Sequence, residues 1–493
     1  MKEPTEVDSL IPPSLDEKQP KPTTGQAILE LAVPAAAALL VDPLMTLMDT
    51  IFVGRFSDSP EPLAGMGSAA ALLTFSFYLF NFLCTATTPL VGAQRAAGRE
   101  AEALAVGGQA LSLALLLGSV LTAVLWTFQQ PLLRLMGTSI TGEAANEYAL
   151  AFLSVRALAA PAVLCLEAST GILRGYLDTK TPIVILLASN LVNLLLDVVL
   201  IAILGMGPMG AAIATTTAEW ISAGLFLAVL GGVLPSAAGQ LGKGSVARDG
   251  TSLVVTPTLA IPSWEEVQPL LVASSSVFFR ALVLQLSLSG AAAMAARSGE
   301  GLEAASAVAA HQIGIQLWII CSFFCDSLAA ASQGLVADAL GREDSEGVRE
   351  IARTIFVYSA ILGLGLAALL QTGESTGVLF HLFTSDPLTQ DALGRILPLI
   401  VIAQPLNSLV FAADGVLQGA SEFPFQAKSM LLSGATAVTT FVLFETLGLN
   451  PDTLVDVWMA LLTLQLMRGV TSLYKLLDSN GPVNLLNRHS PTK

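Results

Sequence analysis

Two carboxylates in the first apolar segment and a short run of polar side chains in the fifth have the residue types and spacing to do chemistry. Asp42 and Asp49 lie seven residues apart, close to two turns of an α-helix, so they share one helix face. Asn190, Asn193 and Asp197 follow at spacings of three and four and form a single polar stripe. Carboxylates from two helices, with amide groups beside them, could enclose a cation or share a proton.

A structural role is the alternative for each of these carboxylates. Asp49 precedes Thr50 near the outer end of its segment, where it could face water or cap a neighbouring helix. Asp197 could join two helices by hydrogen bonding inside a bilayer. Each ionisable group at membrane depth costs about 2.5–3.5 kcal/mol to insert. We therefore favour a function for Asp49 and Asp197, and for Asp42 both interpretations stay open.

The composition indicates that the elements positioning these residues are membrane helices. Of 493 residues, 53% are apolar and 12% are charged, and the mean hydropathy is +0.70. This excludes a soluble globular protein of the same length. About 20 apolar residues cross the hydrocarbon of a bilayer. The sequence predicts an all-α polytopic membrane protein with twelve transmembrane helices, at approximately 27–53, 63–92, 103–128, 145–170, 182–205, 210–233, 267–293, 303–336, 350–371, 392–416, 426–448 and 453–476.

Two short motifs recur half a chain apart. Gly171 to Gly175 reads GILRG and Gly415 to Gly419 reads GVLQG, an offset of 244 residues, while Gly98-Arg99-Glu100 recurs as Gly341-Arg342-Glu343 at an offset of 243. This register predicts two homologous six-helix lobes, an arrangement typical of transporters with a site between the repeats. The predicted divisions are a disordered cytoplasmic tail over 1–25, an amino-terminal lobe over 26–233, a cytoplasmic linker over 234–265, a carboxy-terminal lobe over 266–477 and a second cytoplasmic tail over 478–493.

The distribution of basic residues predicts the orientation. If both termini are cytoplasmic, most Lys and Arg residues in the connecting segments fall on the cytoplasmic side. The opposite side then holds only Arg55, Arg134, Arg297 and Arg395. We therefore expect a multi-pass protein with both termini in the cytoplasm. The sequence does not distinguish the plasma membrane from an endomembrane such as that of a vacuole or plastid.

The remaining reactive side chains do not suggest an enzyme. The four cysteines lie in apolar segments without nearby histidines, so a metal site is not expected. His311 could serve as a gate or proton residue, although a packing role is favoured. No nucleophile-base spacing or phosphate loop is found. We expect no cofactor other than a coupling ion, no nucleic-acid partner and a monomer whose partners are a small organic solute and the bilayer.

The second half of the chain also contains polar residues at membrane depth, and these are candidates for lining a substrate cavity. Arg280 could pair with an aspartate, as charge burial in lipid demands, or bind a carboxylate-bearing substrate. Pairing is favoured, but both interpretations stay open. The candidates are Arg280, Gln285, Asp326, Gln404, Asn407 and Asp414.

Several motifs together resemble the multidrug and toxic compound extrusion (MATE) family. The resemblance is strongest to its DinF-like branch, which includes plant exporters of citrate and phenolic acids, and it extends from Gln26 to about Lys475. The motifs that carry it are Leu31 to Pro34, Asp42-Pro43-Leu44, Met48 to Arg55, Leu63 to Gly67, Leu173 to Pro182, Asn190 to Asp197, Ala309 to Ile313 and Gly415 to Gly419.

The resemblance implies two six-helix lobes around a central V-shaped cavity and antiport of an organic solute against H⁺ or Na⁺. It implies a coupling site in the amino-terminal lobe, matching Asp49, Asn193 and Asp197. It also implies that Pro34 bends the first helix, whereas Asp42 belongs to a plant-type pattern and its role carries over less directly. Many eukaryotic members use a glutamate pair in the seventh helix. This chain departs from that pattern, with Arg280, Gln285 and Ser287 there.

We interpret the chain as a secondary active exporter that works by alternating access, with cation coupling in the amino-terminal lobe. A lipid or lipid-linked headgroup flippase of the same superfamily is the alternative, although it would require a basic cavity, for which only Arg156 and Arg280 are available at depth. A membrane scaffold or receptor without a transport cycle is a third possibility, but it would leave the duplication without a use.

Overall fold

Over the residues that it describes, the computed structural model contains twelve helical segments long and apolar enough to cross a bilayer, which confirms the predicted fold class. It describes residues 23–56, 61–135, 143–247, 250, 252–258, 264–298, 302–384, 386–447, 452–479 and 481–485. We number the segments as spans 1 to 12: Thr24–Arg55, Glu61–Ala96, Glu100–Thr127, Glu143–Gly175, Lys180–Ile203, Gly207–Leu230, Gln268–Ala295, Leu302–Gly341, Ser345–Ser375, Pro387–Gly419, Phe423–Leu447 and Thr453–Leu477.

Three spans of the amino-terminal half are not continuous α-helices. Span 2 consists of Glu61–Tyr78 and Phe82–Ala96. Span 4 changes to a 3₁₀ turn at Ala157–Ala159, and span 5 changes to a π-helical turn at Val198–Ile203. Such π turns commonly mark functional sites within helices. The turn in span 5 begins at the residue after Asp197, one of the predicted coupling residues.

The repeated glycine motif packs span 4 on span 2 and, in the same way, span 10 on span 8. A side-chain methyl at Gly171 would lie 2.8 Å from the carbonyl oxygen of Cys84, and one at Gly415 would overlap the carbonyl oxygen of Ala329. The second glycine of each motif contacts the same neighbouring span. Small residues allow helix backbones to approach closely in lipid. The duplicated motif therefore has the same packing role in both lobes.

The first helix of each lobe packs partly in the core of the other lobe. Ile28 and Ala32 of span 1 are buried in a core formed by spans 8, 9 and 10, whereas Val53 at the other end of span 1 is buried against spans 2, 5 and 6. Reciprocally, Ala273 and Val277 of span 7 belong to the core of the amino-terminal lobe. Each lobe is thus connected to the other by the first helix of its partner.

The two lobes meet at one end of the bundle, which we call the inner end. The side-chain amide of Gln333 on span 8 donates a hydrogen bond to the carbonyl oxygen of Thr85 on span 2, at 2.6 Å. Closer to the end of the bundle, Arg95 forms an ion pair with Asp338. These two residues are 243 apart, so they occupy equivalent positions in the two repeats.

Burial at this closure also affects the pKa of Tyr176, which lies just beyond span 4. Tyr176 lies against the Arg95 guanidinium, with the ring centroid 5.6 Å away. Burial, together with the neighbouring Glu100 carboxylate, raises the pKa of Tyr176. The phenol therefore stays protonated and donates its hydrogen bond to Glu100 Oε2, at 3.0 Å.

Beyond the closure, the facing walls of the two lobes are polar and exposed. Thr74, Tyr78 and Asn81 follow one face of span 2, and Gln312 and Gln316 follow one face of span 8. Tyr78 lies within electrostatic range of charged groups in the opposite lobe, which places it on the facing wall. Exposed polar side chains at membrane depth line a water-filled space rather than lipid. The spans therefore diverge from the inner end around the predicted V-shaped cavity.

The segment between the lobes packs against the amino-terminal lobe over its described part. Leu241 and Val255 are buried in that core, and the Ser112 hydroxyl donates a hydrogen bond to the carbonyl oxygen of Thr258, at 2.9 Å. The linker predicted over 234–265 is thus anchored on one side.

Some residues of both predicted tails belong to, or pack on, the helical lobes. Span 1 begins at Thr24, within the tail predicted over 1–25, and residues 1–22 of that tail lie outside the described residues. Thr23 caps this helix, accepting a hydrogen bond from Gln26 N and donating one from its backbone N–H to the Gln26 side chain. In the second tail, Val483 is buried against the carboxy-terminal lobe.

Candidate functional site

The candidate site is a buried acidic cluster between spans 1 and 5. Asp49 is 8% exposed, and Asn193 and Asp197 have no exposed surface. The side-chain amide nitrogen of Asn193 lies 3.1 Å from Asp49 Oδ1 and 3.3 Å from Asp197 Oδ2, so it donates to both carboxylates. The structure thus brings together three of the five residues predicted to couple a cation.

Span 6 adds a fourth residue that the sequence analysis missed. The Thr215 hydroxyl lies 2.9 Å from Asp49 Oδ2 and also 2.9 Å from the carbonyl oxygen of Ala211. A hydroxyl has one hydrogen to donate, so these two acceptors compete for it. The run of three threonines, Thr215 to Thr217, in a mainly apolar span was the available signal.

The cluster contains more acceptors than donors. Two carboxylates and an amide oxygen face only one amide group and one hydroxyl that can donate. Within the described part of the chain, Asp197 Oδ1 and Asn193 Oδ1 are buried and have no hydrogen-bond partner. Because unpartnered buried acceptors are costly, this arrangement favours binding of a proton or a small cation.

The nearest basic residue does not neutralise the two aspartates. Arg156 of span 4 lies within electrostatic range of Asp49. Its guanidinium, however, forms an ion pair with Glu219 of span 6, including a contact of 2.8 Å between Arg156 Nη2 and Glu219 Oε1. The acidic character of the cluster is therefore retained.

The other coupling candidates have different surroundings. Asn190 donates to the carbonyl oxygen of Leu186 in its own helix, at 2.9 Å, and makes no hydrogen bond to Asp49 or Asp197. Asp42 lies in span 1, but its side chain is outside the described residues. Pro34 and Pro43 lie inside span 1, between the end packed on the carboxy-terminal lobe and the end that carries Asp49.

In the carboxy-terminal lobe, the predicted pairing of Arg280 is found. Arg280 and Arg468 both form ion pairs with Asp414 Oδ2, and Gln426 donates to Asp414 Oδ1 at 3.1 Å. Arg468 was not predicted, although it is an isolated basic residue in the apolar part of span 12. This ionic cluster is closed on itself, since every charged member has a partner of opposite sign.

Two other residues predicted to line the substrate cavity lie inside the carboxy-terminal lobe. Gln404 and Asn407 have no exposed surface, so they do not line an open cavity in this conformation. Asn407 instead joins helices, because its amide donates to Ser322 Oγ at 3.1 Å and its oxygen accepts from Gln465. Gln285 and Asp326 are half-buried, on spans 7 and 8.

The described histidine and cysteine residues do not form a second polar centre. His311 is buried against the ring of Trp458, at 5.8 Å between centroids, in keeping with a packing role. All four cysteines are free and buried. No group of metal-binding side chains occurs among the described residues.

Two six-helix lobes that meet at one end, enclose a polar cavity and hold a buried acidic cluster define a transporter architecture. The MatE family model matches residues 34–199 and 281–443, and the chain belongs to this family. Its members are efflux transporters for drugs and toxic compounds and are not enzymes. The resemblance predicted from the sequence motifs is thereby confirmed.

Curated relatives support the same assignment. The chain is 30% identical over 478 residues to "Protein DETOXIFICATION 45, chloroplastic" of Arabidopsis thaliana, covering 92% of this chain and 79% of the relative. It is 28% identical to "DNA damage-inducible protein F" of Escherichia coli, covering 91% of each chain. The second relative agrees with the DinF-like branch expected from the motifs.

Solved structures show the same fold. One is described as the outward-facing conformation of a multidrug resistance MATE family transporter, with a TM-score of 0.78, 19% identity and coverage of 92% of this chain and 94% of that chain. Another is a MOP superfamily transporter from Pyrococcus furiosus, with a TM-score of 0.77, 19% identity and the same coverage. The chain is therefore a multi-pass integral membrane protein of this fold.

Proposed function

We propose that this protein exports a small organic solute by antiport with protons, using Asp49 and Asp197 as the coupling site. The observation that carries the proposal is the surplus of buried acceptors around Asn193, which a bound proton relieves. Two carboxylates that share one amide donor repel each other when both are ionised. Binding and release of one proton at this pair is therefore sensitive to small changes in its surroundings.

Span 1 supplies the mechanical link between this site and the other lobe. Its inner half is held by the carboxy-terminal lobe through Ile28 and Ala32, and its outer half carries Asp49. A change of charge at Asp49 alters its bonds to Asn193 and Thr215, and Pro34 weakens the helix ladder between the two halves. Protonation thereby changes how span 1 joins the lobes, which is the differential interaction that coupling requires.

The orientation of this cycle follows from the basic residues. We propose that both termini and the inner end face the cytoplasm, as the distribution of Lys and Arg favours. In this conformation, the cavity would then open to the opposite side, where solute is released and protons enter. Relatives described as probable multidrug resistance proteins support a small organic solute as the cargo.

Sodium is the second candidate for the coupling ion. Asp197 Oδ1 and Asn193 Oδ1 are oxygen atoms with no partner among the described residues, and hard cations prefer oxygen ligands. A headgroup flippase is not favoured, because the chain belongs to the MatE family and two relatives are described as probable multidrug resistance proteins. In addition, Arg156 and Arg280 are both paired with carboxylates and offer no basic cavity for a pyrophosphate.

The proposal can be tested in proteoliposomes with imposed gradients. A panel of labelled organic anions, cations and zwitterions is offered under a pH gradient and, separately, under a sodium gradient at fixed potential. We expect pH-driven transport that is abolished in Asp49→Asn and Asp197→Asn. Asp391→Asn is the matched control, because this carboxylate is 76% exposed at the end of span 10 away from the closure. Undiminished pH-driven transport by both site variants would refute the site, and transport driven only by sodium would replace the proton.

A further inference from the structure

Two charged side chains near the floor of the cavity lack partners of opposite charge. The guanidinium of Arg174 makes one hydrogen bond within the described part of the chain, to the sulfur of Cys84 at 3.6 Å, although it carries five N–H donors. Asp326 accepts no hydrogen bond from any described residue. Both side chains are half-buried, and such charges are normally paired at membrane depth.

These two groups belong to opposite lobes and face the same space. Asp326 on span 8 lies within electrostatic range of Arg174 on span 4 and of Arg280 on span 7. Within the described part of the chain, Arg174 and Asp326 nevertheless form no ion pair within 4.0 Å of each other. The hydrogen bond from Gln333 to Thr85 closes the lobes nearby. Two opposite charges that do not contact each other thus lie where the V-shaped cavity narrows.

The shared scaffold does not require either charge. The register of the repeats makes Gln418 the equivalent of Arg174, at an offset of 244, and Leu83 the equivalent of Asp326, at an offset of 243. The glycine motif around Gln418 packs on span 8 as the motif around Arg174 packs on span 2. Each lobe thus forms the same helix packing with an uncharged residue at the position where the other carries a charge. Ligand binding accounts for the charge at each of the two positions, Arg174 and Asp326.

Among the described residues, three basic and three acidic groups lie around the cavity floor. Arg280 and Arg468 share Asp414, which leaves one positive charge in surplus. The other charges within electrostatic range are those of Arg174, Asp326 and Glu167, one positive and two negative. A solute with a single charge would leave these half-buried groups with a net charge, whereas a solute with both charges would not.

We propose that the cavity floor binds a small organic zwitterion, with its carboxylate at Arg174 and its ammonium group at Asp326. This rests on the proposed export function and names the class of solute. The planar guanidinium matches carboxylate geometry, and the Asp326 carboxylate accepts hydrogen bonds from an ammonium group. Because the two residues belong to different lobes, the bound solute bridges spans 4 and 8.

The test uses three probes that share a ring and differ in their charged groups: 4-(aminomethyl)benzoate, benzylamine and benzoate. Binding is measured by calorimetry on the full-length protein in nanodiscs without a gradient. We expect the zwitterion to bind at least about tenfold more tightly than either singly charged probe, since charge-assisted hydrogen bonds at both ends contribute. A wild-type protein that binds benzylamine or benzoate as tightly as the zwitterion would overturn the proposal, as would a failure to bind any of the three.

Variants separate the two ends of the site. Asp326→Asn should weaken the zwitterion and benzylamine by about tenfold and leave benzoate unchanged. Arg174→Gln should weaken the zwitterion and benzoate and leave benzylamine unchanged, and Arg174→Lys, which keeps the charge, should weaken them less. Asp391→Asn is the control and should change none. Equal weakening of all three probes by Asp326→Asn and by Arg174→Lys would indicate structural roles and overturn the proposal.

The same measurements distinguish this inference from the proposed function. Asp49→Asn should retain zwitterion binding and lose only gradient-driven transport. Selective binding of the zwitterion without pH-driven or sodium-driven transport would contradict the antiport mechanism alone. Gradient-driven transport of other solutes, with no preference for the zwitterion, would contradict the zwitterion site alone.

Discussion

The two lobes each bury a polar cluster in the same duplicated scaffold, but the clusters have opposite balances of donors and acceptors. In the amino-terminal lobe, Asp49 and Asp197 share one amide group. In the carboxy-terminal lobe, a single carboxylate, Asp414, accepts from two guanidinium groups. Among the described residues, no basic side chain forms an ion pair with the first cluster, whereas the carboxylate of the second is paired with two guanidinium groups. Burial of a carboxylate is therefore a poor marker of a coupling site, and the balance of its partners is a better one.

The clusters also lie at different depths. Asp197 is 17 residues from Lys180 at the inner end of span 5, about 26 Å at 1.5 Å per residue. Asp414 is five residues from Gly419 at the inner end of span 10, about 8 Å. The ion-paired cluster around Asp414 is thus near the closure between the lobes, and the acidic cluster is far from it. A cation bound near Asp197 must therefore act on the closure through a long element, and span 1 is one such element, since it carries Asp49 and packs Ile28 and Ala32 on the carboxy-terminal lobe.

The largest expected difference between the clusters is in stability. Asp414→Asn leaves Arg280 and Arg468 buried without their counter-charge, so we expect the free energy of unfolding to fall by about 3–5 kcal/mol. Asp197→Asn removes one of two repelling carboxylates and should change it by less than about 1 kcal/mol. Thermal unfolding followed by tryptophan fluorescence in detergent measures both. A larger loss in Asp197→Asn than in Asp414→Asn would reverse the comparison.

A double-mutant cycle provides the control for this contrast. In Arg280→Gln, Asp414 keeps Arg468 as its partner, so this change should cost less than Asp414→Asn. In the double variant, only one guanidinium remains unpaired, so the Asp414→Asn change should cost less than it does alone. Additive effects would show that Arg280 and Asp414 do not stabilise each other.

Much of the acidic cluster could be predicted from the sequence, because helical spacing places Asn193 and Asp197 on one face and the family motifs point to the same residues. Asn190 belongs to the same stripe, yet it bonds its own backbone, which spacing does not reveal. Thr215 and Arg468 were missed because each lies on a different span from the carboxylate that it contacts. Their roles depend on which helices are neighbours, and sequence periodicity carries no such information.

The shared scaffold should respond alike in both lobes. Gly171→Ala adds a methyl against the Cys84 backbone, and Gly415→Ala adds one against the Ala329 backbone. We expect each to lower the free energy of unfolding by about 1–3 kcal/mol, because overpacking forces the helices apart. The same unfolding assay measures both, and Gly224→Ala, where a methyl meets open space, is the control. If one variant were neutral, the repeats would not pack equivalently.

The smallest expected effect concerns the donor shortage of the acidic cluster. Thr215→Val removes a hydroxyl that donates to Asp49, and a hydrogen bond of this kind contributes about 1 kcal/mol, so pH-driven transport should fall about fivefold. Thr215→Ser keeps the hydroxyl and should retain transport. Thr217→Val is the matched control, because the Thr217 hydroxyl bonds only to Ile213 in its own helix. Initial rates in proteoliposomes at one pH gradient compare the three variants. Since Thr215 shares its hydrogen with Ala211, equal rates for Thr215→Val and the wild type would mean that the hydroxyl serves the helix rather than Asp49. The contrast with the carboxy-terminal lobe would then rest on Asn193 alone.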